Sequence, residues 1–153
     1  MRNWGKWGKY LIGNLQSSIF KGRTEDMSSE RAFDLEDRLV DFTAVVLDVV
    51  DLLPDGRAGD HVVGQLERAG AFPVPDYGEA QRAESRKVFI HKVKVALKEL
   101  KECRVWLKVI WKKGMVADRE LVETADVECE ELIWILGMSA ATAAANSERG
   151  GCR

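Results

Sequence analysis

Proline is almost missing from this chain. Its 153 residues include three, Pro54, Pro73 and Pro75, all in the first half. Elsewhere every backbone N–H remains available, so nothing stops long helices from forming. Histidine is scarcer still, with only His61 and His91. An imidazole-based catalytic or metal site would have to join one of them to a carboxylate or thiol in space. His61 follows Asp60 near a predicted helix start and His91 lies between apolar neighbours, so each reads as a surface or boundary residue. Cys103, Cys129 and Cys152 are odd in number and lack metal-type spacing, which argues against a disulfide framework or a zinc knuckle. Cys103 and Cys129 fall on apolar stripes and are expected to be reduced core residues of a cytoplasmic protein. No Gly-rich phosphate loop, Gly-x-Ser-x-Gly elbow, Cys-x-x-Cys or Glu-x-x-His occurs. The first 20 residues contain no continuous apolar core, so they are not a secretory signal. The longest apolar stretch, Leu132 to Ala145, is interrupted by Gly137, Ser139 and Thr142 and is too short to span a bilayer. The expectation is a protein that is not an enzyme, holds no metal or cofactor, and does not enter a membrane.

What is abundant is charge, and it is segregated. The net charge is only -2. Residues 24–56 nevertheless carry ten acids and two bases, residues 82–113 eleven bases and three acids, and residues 118–131 seven acids and one base. The sign alternates element by element. Within the first acidic segment, Asp37 and Asp41, and likewise Asp48 and Asp51, sit about one helical turn apart. A carboxylate-bridged di-metal bundle would also need Glu-x-x-His pairs facing inward. These aspartates lie mostly off the apolar seam and read as a solvated or interface face.

Four amphipathic segments follow a basic, Gly- and Trp-rich leader over residues 1–26 (Trp4, Gly5, Lys6, Trp7, Gly8, Lys9), in which no acid appears before Glu25. The leader reads as a flexible extension, with translation beginning at Met27 or an amphipathic arm as alternatives. The first helix is expected over 29–53, where Leu35, Leu39, Phe42, Val46, Val49 and Leu53 are spaced 4, 3, 4, 3, 4. Pro54-Asp55-Gly56 ends it. The second is expected over 59–71 with Val62, Leu66 and Ala69 inward, kinked at Pro73–Pro75 and resuming for a turn near Asp76. The third spans 85–113 on the seam Phe89, Val93, Ala96, Leu100, Cys103, Leu107 and Ile110, closed by Gly114. The fourth runs from an N-cap at Asp118 to about Ala144, using Val122, Ala125, Cys129, Leu132 and Leu136. Short loops make neighbours antiparallel. The predicted fold is all-α, an antiparallel up-down four-helix bundle over 27–145, with a disordered tail over 146–153.

Residues 59–113 carry a further pattern: Gln65-Leu66-Glu67-Arg68-Ala69-Gly70, the Pro73–Pro75 break, Gly78-Glu79-Ala80, then Ser85, Val88-Phe89-Ile90 and Val95-Ala96-Leu97. This resembles the small four helix bundle proteins first noted as open reading frames in intervening sequences of large-subunit ribosomal RNA genes. The register holds without a gap from Glu79 to Glu102, and its anchors are turn and kink residues rather than heptads alone. Four positions depart from the family pattern. Ala80 stands for a glycine, Arg82-Ala83 for Gly-Arg, and Val88 for the glutamate that would complete a capping box with Ser85. Such proteins are similar to the accessory variability determinants of diversity-generating retroelements. The resemblance implies a homo-oligomer, a pentamer in that family, with RNA or DNA and a reverse transcriptase as partners.

The third helix holds the candidate site. Lys87, Lys94, Lys98, Lys101, Lys108 and Lys112 recur at 7, 4, 3, 7, 4. At about 100° per residue they form one stripe nearly opposite the seam. Beside it lies a second apolar strip, Val88, Val95, Trp106 and Val109. The lysines are expected to contact nucleic-acid phosphates, and the strip to form an oligomer interface. The alternatives are a wet face with no ligand and a protein–protein scaffold whose acidic and basic helices pair between subunits.

Overall fold

A computed structural model describes residues 26–150, with side chains placed over 35–146. The expected leader lies outside the described residues except for Asp26, as do residues 151–153. The chain divides into two compact units, Met1–Ala32 and Phe33–Arg153. The second is a helical bundle. The helices of the chain are α1 (Asp26–Asp51), which enters this unit at Phe33, α2 (Arg57–Ala71), α3 (Pro73–Gln81), α4 (Arg86–Lys113) and α5 (Arg119–Gly150). Among the described residues no other regular structure occurs.

The apolar seams become the core. Leu39, Phe42, Val46 and Val49 of α1 meet Val62, Leu66 and Ala69 of α2, Val93 to Ile110 of α4, and Val122 to Leu136 of α5, all buried at seam positions. Leu53 and Phe89, at the seam ends, are half-buried. No polar or charged residue is buried among the described ones. Pairs across the helices fix their order and direction. Thr43 on α1 donates to the Gly70 carbonyl on α2 (2.9 Å). Arg68 on α2 pairs with Glu102 on α4 (2.6 Å), and Glu79 on α3 with Lys92 on α4. Cys129 on α5 donates its thiol proton to the Leu100 carbonyl on α4 (3.2 Å). Rising numbers on one helix meet falling numbers on the next, which is the antiparallel up-down arrangement. The α2–α3 arm and α5 flank α4, and α1 stands diagonally across from it.

Local chemistry accounts for the ends. Ser85 caps α4 by accepting from the Val88 N–H (3.3 Å), half of a capping box because Val88 has no carboxylate to reciprocate. Gly114 closes α4 in the left-handed region (φ 65°), with the Met115 N–H reaching back to the Ile110 carbonyl (3.1 Å). Asp118 caps α5 through the Leu121 N–H (3.0 Å).

Two expectations need correction. The helix does not wait until Asp76 to resume after the kink, because α3 starts at Pro73 itself. Phe72 stays helical (φ −65°, ψ −29°), and its N–H still bonds the Arg68 carbonyl (3.1 Å). Both prolines fall in the first turn of α3, where a helix N–H has no intrahelical partner and its loss costs little. The second correction concerns α5, which continues to Gly150, past Ala144 and into the segment expected to be a disordered tail. Five alanines among residues 140–145 favour helix strongly enough to carry the polar residues after them.

Gly70 lies where α1 and α2 approach each other. A Cβ there would come within 2.5 Å of Val46 Cγ1. The missing methyl lets α1 and α2 approach closely enough for the Thr43 hydroxyl to bridge the Leu39 and Gly70 carbonyls, each at 2.9 Å.

Candidate nucleic-acid interface

All six stripe residues, Lys87, Lys94, Lys98, Lys101, Lys108 and Lys112, are exposed on the outer face of α4. From first to last they span roughly 37 Å at 1.5 Å per residue. Among the described residues only Lys98 has an ionic partner, its sequence neighbour Glu99, at 3.7 Å with the lysine side chain 75% exposed. A pair that long and that wet contributes almost nothing.

The carboxylates that could neutralise the stripe are drawn away from it. Glu102 turns to Arg68 on α2 (2.6 Å). Glu99 leans inward, and one of its carboxylate oxygens is buried without a hydrogen-bond partner among the described residues. Lys92, outside the stripe, is the lysine that finds a strong partner. Its bond to Glu79 holds its pKa above the usual lysine value.

Four of the acids of α5 are held by arginines of the bundle. Arg104 of α4 binds Asp126 (3.1 Å) and Glu130 (2.7 Å). Arg38 of α1 binds Glu128 through both Nε (3.0 Å) and Nη2 (2.7 Å), and reaches Glu131 at 3.1 Å. Burial pushes Glu128 above the ordinary carboxylate range, against the pull of Arg38. The two arginines thus clamp α5 from both sides. Asp37, Asp41, Asp48 and Asp51 are exposed on α1, diagonally opposite the lysines. The bundle therefore presents a basic side and an acidic side.

The apolar strip beside the lysines is divided. Val88 and Val109 are exposed, whereas Val95 and Trp106 are half-buried. Trp106 packs against the core and meets His61 of α2 edge-on, with ring centroids 5.7 Å apart. Much of the indole is therefore engaged within the chain. His91 is exposed on α4. Among the described residues no group of three or more His, Cys, Asp or Glu is placed to hold a metal ion. No described helix is long and apolar enough to cross a membrane. Cys103 and Cys129 are buried free thiols. The neighbouring Cys103 thiol, together with burial, pushes the Cys129 thiol up and keeps it protonated.

Two features escaped the sequence reading. Val105, 59% exposed, stands in the middle of the lysine stripe. Its angular position shows this once every residue of the helix is placed, not only the lysines. The outer face of α5 also exposes Val127, Trp134 and Met138. They continue to Ala141 and Ala145 at spacings 7, 4, 3, 4, a second seam that a search for one seam per helix passes over.

Fold and surface together define an all-α up-down bundle with one lysine-lined helix. Its architecture is similar to that of a protein of unknown function from the S23 ribosomal protein family of Bacteroides thetaiotaomicron VPI-5482. The TM-score is 0.65 at 24% identity, over 72% of this chain and 97% of that one. At that identity the likeness is one of fold. Comparison with protein families and with curated proteins finds no match.

Proposed function

We propose that this protein is a non-enzymatic, self-associating helical bundle that binds nucleic acid through the phosphate backbone on the outer face of α4. The observation that carries the reading is the row of six exposed lysines, of which only Lys98 has an ionic partner among the described residues, and that one is long and wet. A rigid helix with this pattern offers point charges at fixed spacing but no Asn or Gln between them to read base edges, so contact is to phosphate and discrimination among sequences is poor. The resemblance to intervening-sequence bundle proteins and accessory variability determinants supports the same reading and implies a reverse transcriptase as protein partner. The structural neighbour's family name refers to the ribosome, in keeping with an RNA ligand, though its likeness bears on fold alone.

The test is titration of labelled single- and double-stranded RNA and DNA at two salt concentrations. Binding should fall steeply with salt as counterions are released, by about 0.9 log units in affinity per log unit of salt for each duplex phosphate engaged. The variant with Lys94, Lys98, Lys101 and Lys108 all changed to Glu should lose binding and keep its helical circular dichroism. A wild-type protein that shifts neither RNA nor DNA at low salt overturns the proposal. A second reading, a protein–protein scaffold, draws on Val105 and Val109, which put exposed apolar surface within or beside the basic stripe. That mixed face suits an acidic amphipathic helix, and such a peptide displacing nucleic acid would favour it.

A further inference from the structure

We infer that the C-terminal end of the lysine stripe is a binding site for one unpaired base of a single strand, built from Lys108, Trp111 and Lys112 of α4 and Glu123 of α5. The inference rests on the nucleic-acid reading above and deepens it, because it names the form of nucleic acid that the stripe takes. A hollow of about 170 Å³ lies between the two helices, with Lys108, Trp111 and Lys112 on the α4 side and Glu123 and Asp126 on the α5 side. Trp111 is 45% exposed. The Arg119 guanidinium lies over its ring, 5.1 Å from the centroid, and steadies it. Asp126 is already bound by Arg104 (3.1 Å). Lys108, Lys112 and Glu123 are exposed and enter no ion pair among the described residues. Opposite charges therefore border one hollow without closing it.

These groups together select one chemistry. Two ammonium groups suit phosphate, a flat indole suits a ring that stacks on it, and a carboxylate without a partner suits N–H donors. A nucleotide offers all three at once. Lys108 and Lys112 stand about 6 Å apart along the helix axis, so they can take the phosphates on either side of one nucleotide. In a duplex each base is stacked and paired, and none reaches the hollow without being turned out of the helix. A single strand meets no such cost. Glu123 accepts from the exocyclic amine of cytosine and finds no amine on thymine. The other four stripe lysines, Lys87, Lys94, Lys98 and Lys101, continue the contact along the strand, which a free nucleotide does not offer. One base read at one position adds little sequence preference to a contact made otherwise to phosphate.

Fluorescence anisotropy of the full chain at low salt tests the site, with labelled oligo-dC, oligo-dT and a duplex of equal length. Trp111→Ala should weaken oligo-dC binding about tenfold and leave duplex binding and helical circular dichroism unchanged. Trp111→Phe keeps a ring to stack and should recover most of that loss. The wild type should prefer oligo-dC to oligo-dT, and Glu123→Gln should erase the preference, because its amide can both donate and accept. Cytidine monophosphate should compete only at a concentration at least about a hundredfold higher than the strand. The inference is overturned if Trp111→Ala lowers single-strand and duplex affinity alike or changes neither, or if the dC preference survives Glu123→Gln. In those cases the phosphate-binding stripe stands without a base site. It is overturned too if cytidine monophosphate competes as well as the strand, since the hollow would then serve a free nucleotide. A wild-type protein that binds no strand and no duplex removes stripe and hollow together.

Discussion

Inside the bundle α4 and α5 are alike, each burying one apolar stripe against the other. Outside they are opposites. α4 carries six exposed lysines without a strong partner, whereas four of the acids of α5 are held by Arg38 and Arg104 and the rest of its outer face is largely apolar. Net charge hides this, because the surplus bases of α4 are offset by the acids of α5 and α1 together. The difference teaches that some charge is used here for cohesion and some is left over. Arg38 and Arg104 with four acids of α5 hold the bundle together, and the stripe lysines of α4 hold nothing.

The comparison breaks first if the two interiors are not equivalent. Leu100→Asp on α4 and Leu132→Asp on α5 each put a carboxylate at a fully buried seam position with no cation in reach. The cost of several kcal/mol is comparable to the whole stability of a domain. Both variants should lose cooperative thermal unfolding by circular dichroism. A folded Leu132→Asp protein beside an unfolded Leu100→Asp protein would show that α5 is peripheral rather than an equal wall.

The neighbouring arm extends the test to the end of the bundle. Burial, with a further push from Glu36, raises the Tyr77 phenol from 10.0 to about 12. A group whose folded pKa lies above its unfolded one contributes stability that is whole below the unfolded value and lost as pH rises through the folded one. The loss should therefore run from pH 10 to pH 12 and reach about 2–3 kcal/mol. Tyr77→Phe should remove that alkaline limb. Chemical unfolding at pH 9 and pH 11.5 measures it, and an unchanged limb in the variant would place the tyrosine in solvent.

Most of the fold was legible because its signals are local and repeated. The α1 seam, the Ser85 and Asp118 caps and the Gly114 stop each need only a few consecutive residues. The misreadings are also instructive. Pro73 and Pro75 look like a helix end, yet their effect depends on position within a turn, and the first turn tolerates them. The reach of α5 to Gly150 depends on alanines carrying a polar tail, which composition alone scores as disorder. The candidate site was legible in part. The lysine stripe follows from angular arithmetic. That Trp106 would turn towards His61, and that Glu102 would leave the stripe for Arg68, depends on which helix lies alongside, information that one helix does not contain.

Arginine against lysine sharpens the contrast at moderate cost. Arg104 is 22% exposed and bonds two carboxylates, one of them at 27% exposure. Arg104→Ala should cost about 1–2 kcal/mol by stranding Asp126 and Glu130 beside each other. Lys101→Ala, one turn earlier on the outer face, should stay within about 0.5 kcal/mol of wild type. Equal losses from denaturant midpoints would mean that the lysines contribute to cohesion after all.

The smallest expected effect is the most telling about why the lysines are there. Lys94 and Lys98, and Lys108 and Lys112, are like charges four residues apart on one helix face, and Lys98 and Lys101 are three apart. Each such pair opposes helix formation by about 0.2–0.5 kcal/mol at low salt. Lys87 adds a cation to the first turn of α4, where no acidic residue stands and the helix dipole disfavours positive charge. Exchanging Lys94, Lys101 and Lys108 for Gln relieves these repulsions without disturbing any ion pair found among the described residues. The triple variant should therefore be slightly more stable than wild type at low salt, and the gain should vanish at high salt as screening removes the repulsion from both proteins. If polyanion affinity falls in the same variant, the stripe is kept at the expense of the fold and for a ligand. A variant that loses stability instead would return the lysines to the structural framework and leave α4 and α5 differing in composition but not in purpose.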